Sequence, residues 1–202
     1  MDSPVSLANQ AWPSVSVHEV VAALVRAERE KVVPLLPPQL LTVVDHPNTA
    51  DASENHLRLR VLYYFRLMML AEVPPDTEWY RLAHLVDGDL ASLLVIGRCG
   101  MDGQDDQNEL TKAALRLPPQ PLRVPPSQWD PPILWGHDKG GPFTILEGNH
   151  RLMAYLTGPT PHGLDVPVFV GLSPTPCFWH LPDPARILGN DLFCRNLPPF
   201  RW

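Results

Sequence analysis

Near the start of the chain, apolar residues recur every three or four positions. Val17, Val20, Val21, Leu24 and Val25 fall on one face of a helix at that spacing. Ser16 and Glu19 suit a capping box at its start, each side chain satisfying a backbone N–H of the other residue. Glu28 to Lys31 make the solvated end, and Pro34 stops the helix. A short strand is expected over Leu40–Val44, and Asp45-His46-Pro47-Asn48 signals a turn. A second helix runs from about Ala52 to Leu70, with Asp51 as N-cap. From Leu57 it is apolar on nearly every side, as a buried helix is. Arg58, Arg60 and Arg66 interrupt it. Arg58 and Glu54 stand four apart and suit an ion pair; an arginine reaching a ligand phosphate is the alternative.

Val73-Pro74-Pro75 breaks the chain. A third helix is expected over Asp76–Val86, with Trp79, Leu82, Ala83 and Val86 on one face and Gly88 at its stop. Leu90–Ile96 is short and apolar, and periodicity does not separate strand from helix there. Asp102–Glu109 is a solvated acidic loop that fails the EF-hand pattern. Leu110–Leu117 reads as a short helix. Seven prolines then fall within the fifteen positions Pro118–Pro132, which predicts an extended arm. Beyond it the pattern turns to short apolar runs. Pro132–Gly136 and Phe143–Leu146 read as strands joined by a turn through Asp138–Pro142, and Val166–Gly171 reads as another. Cys177–His180 is the expected buried piece of the Pro-rich ending, with Phe200 and Trp202 tucked against the core.

Candidate chemistry lies where Phe143–Leu146 gives way to a helix. Gly148 permits a sharp turn or a close approach. Asn149 can cap a helix through Leu156. His150 and Arg151 then sit in its first turn, where the macrodipole favours anions over cations. An anionic ligand resolves the conflict, because free N–H groups, the dipole and an arginine fork all point at it. The plainer reading is a Glu147–Arg151 ion pair with His150 as a core residue. A methyl group at Gly148 is expected to weaken binding more than folding.

The run Glu147-Gly148-Asn149-His150-Arg151, after a strand and before a helix carrying Leu152 and Ala154, resembles the motif of the ParB/sulfiredoxin superfamily. The flanking strands agree, and the resemblance covers Leu122 to Gly171. It implies a small mixed sheet and phosphate binding at this turn by Gly148, Asn149, His150 and Arg151, with Glu147 and His150 as candidate catalytic groups. Members include sulfiredoxins, which use ATP to repair an oxidised cysteine, partition proteins that bind and hydrolyse CTP, and a free-serine kinase. Asn149 stands where sulfiredoxins carry the reactive cysteine, so that reaction does not carry over. Partition proteins read DNA through a region after this core, and the short Pro-rich tail is not expected to supply it.

Bulk composition narrows the classes. A net charge of −6 argues against a broad nucleic-acid footprint. Three scattered cysteines show no disulfide framework or metal spacing. No apolar run reaches the ~18 residues of a membrane span, the start resembles no secretory signal, and a cytoplasmic protein is expected. Lys139-Gly140-Gly141 lacks the P-loop spacing, and no HExxH or GxSxG motif occurs.

These readings converge on an α/β (α+β) fold. Residues 1–117 are expected to be mainly helical, and residues 118–202 to form the core and tail, or the two to make one compact domain. The expected function is nucleotide binding, of ATP or another nucleotide with Mg²⁺, and hydrolysis or transfer of a phosphoryl group to a small-molecule or protein substrate. No protein-built metal site is expected. The alternatives are a non-catalytic or DNA-associated module, and a structural protein in which Glu147–Arg151 is an internal salt bridge.

Overall fold

The computed structural model describes residues 6–71, 73–95, 109–114, 121–158, 163–175 and 177. Its strands are β1 (Ser14–Val15), β2 (Glu78–Val86), β3 (Leu93–Val95), β4 (Ile133–Gly136), β5 (Phe143–Glu147) and β6 (Asp165–Leu172). Its α-helices are α1 (Val17–Ala27), α2 (Arg29–Val32), α3 (Leu41–Asp45), α4 (Ala52–Ala71), α5 (Leu110–Ala114) and α6 (Asn149–Thr157). The strands form one six-stranded sheet in the order β1-β2-β6-β4-β5-β3. β4 runs parallel to β6 and β3 parallel to β5, and the other pairings are antiparallel. The fold is therefore α/β with a mixed sheet. β1, β2 and β3 come from residues before 118, so the sheet crosses the expected division of the chain.

Alternation along the central strands builds two cores. In β6, Val166, Val168 and Val170 join one core and Phe169 the other, because successive side chains of a strand point to opposite faces. Leu134 and Ile145 share the first core with Leu110 of α5 and Leu152 and Tyr155 of α6. Ile133, Trp135 and Leu146 share the second with Val20, Val21, Leu24 and Val25 of α1, Val44 of α3, and Val61 and Leu62 of α4. Helices thus cover both faces, as a largely buried sheet requires.

Local signals near the helix starts hold. The Glu19 N–H donates to Ser16 Oγ at 3.3 Å and the Ser16 N–H to Glu19 Oε1 at 3.1 Å. Asp51 Oδ1 accepts from the N–H groups of Ser53 and Glu54 at 2.8 and 3.0 Å. Tyr155 ties α6 to the rest of the first core. Its hydroxyl donates to Asp87 Oδ1 at 2.7 Å and accepts from the N–H groups of Gly163 and Leu164, both at 3.0 Å. Burial, and then the Asp87 carboxylate, push the phenol above its ordinary range.

Several expectations are corrected. Residues 78–86 are a strand, not the helix expected over Asp76–Val86. Trp79 faces the second core, and Leu82 and Leu85 face the first. A register shift between Leu82 and Leu85 keeps those two on one face, so a bulge imitates helical spacing. Ala83 is exposed, and Gly88 lies in a 3₁₀ turn over Asp87–Ser92. Leu40–Val44 is helical, not a strand: a 3₁₀ turn over Pro38–Leu40 leads into α3. Glu28 is buried instead of solvated. In α4, Leu59 is 43% exposed, so its middle is not apolar-buried all round. Leu90–Ile96 divides: Leu90 ends up in the 3₁₀ turn and Leu93–Val95 is β3. Cys177 is buried. Cys99, Arg66, the acidic stretch 102–108, residues 115–120 and the ending after Cys177 lie outside the described residues or side chains.

Candidate functional site

β5 and α6 meet at the expected turn. Gly148 has φ +105° and ψ 1°, the left-handed region that glycine enters without strain. A Cβ there would also approach Pro132 Cβ to 3.0 Å. Gly148, not Asn149, is the N-cap of α6. Asn149 is the first helical residue, and its amide donates back to the Ile145 carbonyl at 3.2 Å. Its Oδ1 is buried without a hydrogen-bond partner among the described residues. Gly148→Ala is expected to cost about 1–3 kcal/mol of folding stability, from the left-handed φ and the Pro132 contact. Urea unfolding checks this. A midpoint equal to that of wild type would mean the turn relaxes freely.

Arg151 is already engaged. Nη2 donates to Glu147 Oε1 at 3.2 Å, and Nη1 donates to the Asp130 carbonyl at 2.5 Å. The guanidinium lies 6.0 Å from the Trp129 ring centre, within range of a cation–π contact. The predicted i,i+4 ion pair is therefore present. His150 is exposed, not a core residue.

The structure adds partners that no local signal in the sequence announces. The Pro-rich arm does not simply run along the surface. It makes a 3₁₀ turn at Pro126–Gln128 and buries Trp129, whose indole N–H donates to the Val124 carbonyl at 3.1 Å and whose ring meets Tyr155 edge-on. Between this arm and the start of α6 lies a cleft of about 420 Å³, lined by residues 121–124 and Trp129 of the arm and by His150, Arg151 and Ala154 of α6. Three basic side chains converge there in a chain whose net charge is −6. Arg123 and Trp129 lie within the expected arm, where an aromatic among prolines is the single hint of a docking point. Asp130 connects further. Its carboxylate accepts from Arg26 Nε of α1 at 2.5 Å.

Of the residues expected to act together, Gly148, His150 and Arg151 stand at the cleft end of α6, and Glu147 is tied to Arg151. Asn149 turns back on β5 through its amide. The described lining contains no carboxylate, and among the described residues no three His, Cys, Asp or Glu side chains gather as a metal site. This lining does not suit Mg²⁺ as a protein-held ion, since Mg²⁺ prefers carboxylate and phosphate oxygens.

Other constellations carry less. A larger groove, about 770 Å³, lies by β1, β2, α1 and α4. It is mainly apolar, and Glu78 is the one charged residue among its described lining. Ser173, His137 and Asp76 lie together beyond the end of β6, but not as a nucleophile, base and orienting acid. The Ser173 hydroxyl donates directly to Asp76 at 2.8 Å, while His137 Nδ1 is 3.0 Å from the Ser173 carbonyl. The hydroxyls of Thr175 and Ser173, in that order, hold Asp76 below the usual carboxylate range. The group is a loop clasp.

Among the described residues, no helix is long and apolar enough to cross a membrane. No family model, curated protein or solved structure gives a significant match to the chain.

Proposed function

We propose that the protein binds a nucleotide, with its phosphates at the Gly148–Arg151 turn, and hydrolyses or transfers a phosphoryl group. One observation carries this reading: Arg123, His150 and Arg151 line one cleft at the N-terminal end of a helix. Cations at a helix start are disfavoured by the dipole alone, and an anion reverses the sign of both interactions. The volume, about 420 Å³, falls within the roughly 300–1,000 Å³ usual for small-molecule sites. Trp129, Leu122 and Val124 offer the apolar wall that a base or sugar needs. The resemblance of the Glu147–Arg151 run to the ParB/sulfiredoxin superfamily supports the same assignment, with ATP or another nucleotide as ligand. Mg²⁺ would arrive on the phosphates, and Arg123 and Arg151 would supply the fixed positive charge. Glu147 and His150 are the candidate proton-transfer groups, and His150 is the more accessible of the two.

The structural reading has its own support in the Glu147–Arg151 pair at 3.2 Å, which satisfies the arginine without a ligand. Nucleotide binding separates the two. A thermal-shift panel of ATP, CTP, GTP and pyrophosphate, with and without Mg²⁺, is expected to show at least one ligand raising Tm. At a hundredfold excess over Kd the gain is about 2.7 kcal/mol, or about 5–10 °C for a chain of this size. A panel without any shift removes the nucleotide reading. A shift without phosphate release over hours leaves a non-catalytic binding module.

A further inference from the structure

We infer that Arg26 of α1 and Asp130 of the Pro-rich arm are positioning residues for Arg151. This inference rests on the nucleotide reading of the cleft. The guanidinium of Arg151 has five N–H donors in a fixed plane. One goes to the Asp130 carbonyl at 2.5 Å and one to the Glu147 carboxylate at 3.2 Å. Those two bonds set the direction in which the remaining donors face the cleft. Glu147 sits on β5 and its position follows from the sheet. Asp130 lies outside the strands, between buried Trp129 and Pro132, whose carbonyl accepts from the Phe169 N–H of β6 at 2.9 Å. Its carboxylate is held by Arg26 Nε at 2.5 Å, across 104 positions of chain.

Asp130 is thus a hub with two uses. Its side chain anchors the arm to α1, and its backbone oxygen aims Arg151. The residues beside it make the consequence specific. Trp129 is buried against Tyr155 and lines the cleft. Pro131 and Pro132 follow, with φ fixed by their rings, and Pro132 packs against Gly148. A shift of Asp130 therefore moves the Arg151 acceptor while the two sides of the cleft stay packed. Without Arg26, the Asp130 side chain loses its partner, its carbonyl is aimed less firmly, and the arginine fork points less often at a bound phosphate. α1 thereby takes part in building the site.

The rival account is an ordinary surface ion pair, since the Arg26 side chain is 40% exposed and such pairs contribute little to stability. Titration with ATP and with pyrophosphate, each with Mg²⁺, separates the accounts. Arg26→Ala is expected to weaken binding roughly tenfold, as loss of a group that orients a ligand-contacting side chain does, while Tm stays within about 3 °C of wild type. Arg26→Lys, which can still reach Asp130, is expected to restore most of the affinity. In an Arg151→Ala background, Arg26→Ala should have no further effect, because the two act as one unit. Wild-type binding with an equally tight Arg26→Ala variant overturns this inference alone. So does a tenfold loss that persists in the Arg151→Ala background, since that is general electrostatic attraction. A wild-type protein that binds neither probe overturns the cleft reading and this inference together.

Discussion

Arg58→Ala is expected to destabilise the protein by about 3–5 kcal/mol, the cost of breaking a buried, hydrogen-bonded charge network. Arg58 is fully buried in α4. Nη1 donates to Glu54 Oε2 at 3.0 Å and to the Val43 carbonyl at 3.2 Å. Nη2 donates to the Asn48 carbonyl at 2.9 Å and to the Asn55 side-chain carbonyl. One side chain therefore clamps the α3–α4 connection onto α4. Alanine takes this donor from the Val43 carbonyl and the Asn55 side-chain oxygen, leaves the Glu54 carboxylate and the Asn48 carbonyl only the N–H groups of Asn48 and Asp51 at 2.9 and 3.2 Å, and opens a cavity beneath them. The pair itself need not be strongly stabilising, because both charges gave up water to form it. The large term is the unpaired remainder. Urea unfolding should show the lower midpoint, and Tm should fall by about 6–20 °C. Lysine should not rescue, since one ammonium cannot reach the four acceptors spread around the guanidinium plane. A loss under about 1 kcal/mol would mean that the network is not formed in solution. Of the three arginines of α4, Arg58 is structural, and its planar fork is used inside the protein.

The second large effect is expected at the proposed site. Arg151→Ala should weaken nucleotide binding roughly 10–100-fold, the loss of one charge-assisted hydrogen bond worth about 1.5–3 kcal/mol. Arg151→Lys should fall between wild type and alanine, because it keeps the charge and loses the fork. The unliganded protein should lose about 1 kcal/mol in both variants, since Glu147 and the Asp130 carbonyl lose a partner at a part-exposed position. The sequence alone predicts nearly no change in Tm. The modest loss arises from the Asp130 contact, which lies 21 positions away in the chain. Titration calorimetry on the three proteins checks the affinity, and thermal melts without ligand check the fold. If affinity is unchanged while Tm drops by many degrees, the arginine is a structural clamp and the phosphate assignment fails.

Much of the architecture is legible in the sequence. The capping box of α1, the Asp51 cap and Glu54–Arg58 pair of α4 and the β5–Gly148–α6 turn are set by contacts within about four residues. There the preference of each residue type and its neighbours agree. Gly148 is the clearest case, because only a glycine at a strand-to-helix turn predicts a left-handed backbone. β2 was not legible. Trp79, Leu82, Ala83 and Val86 are spaced as on a helix, and only pairing with β6 across the bulge reveals a strand. Strand partners come from distant sequence, so a local period cannot choose between them. The same reason separates the motif from its cleft. Residues 147–151 form their turn from their own order along the chain. Trp129, Arg123 and the Arg26–Asp130 pair join them only after the Pro-rich arm folds back against α6. Burial of Trp129 against Tyr155 of α6 decides that return, and a local period along the chain does not encode it.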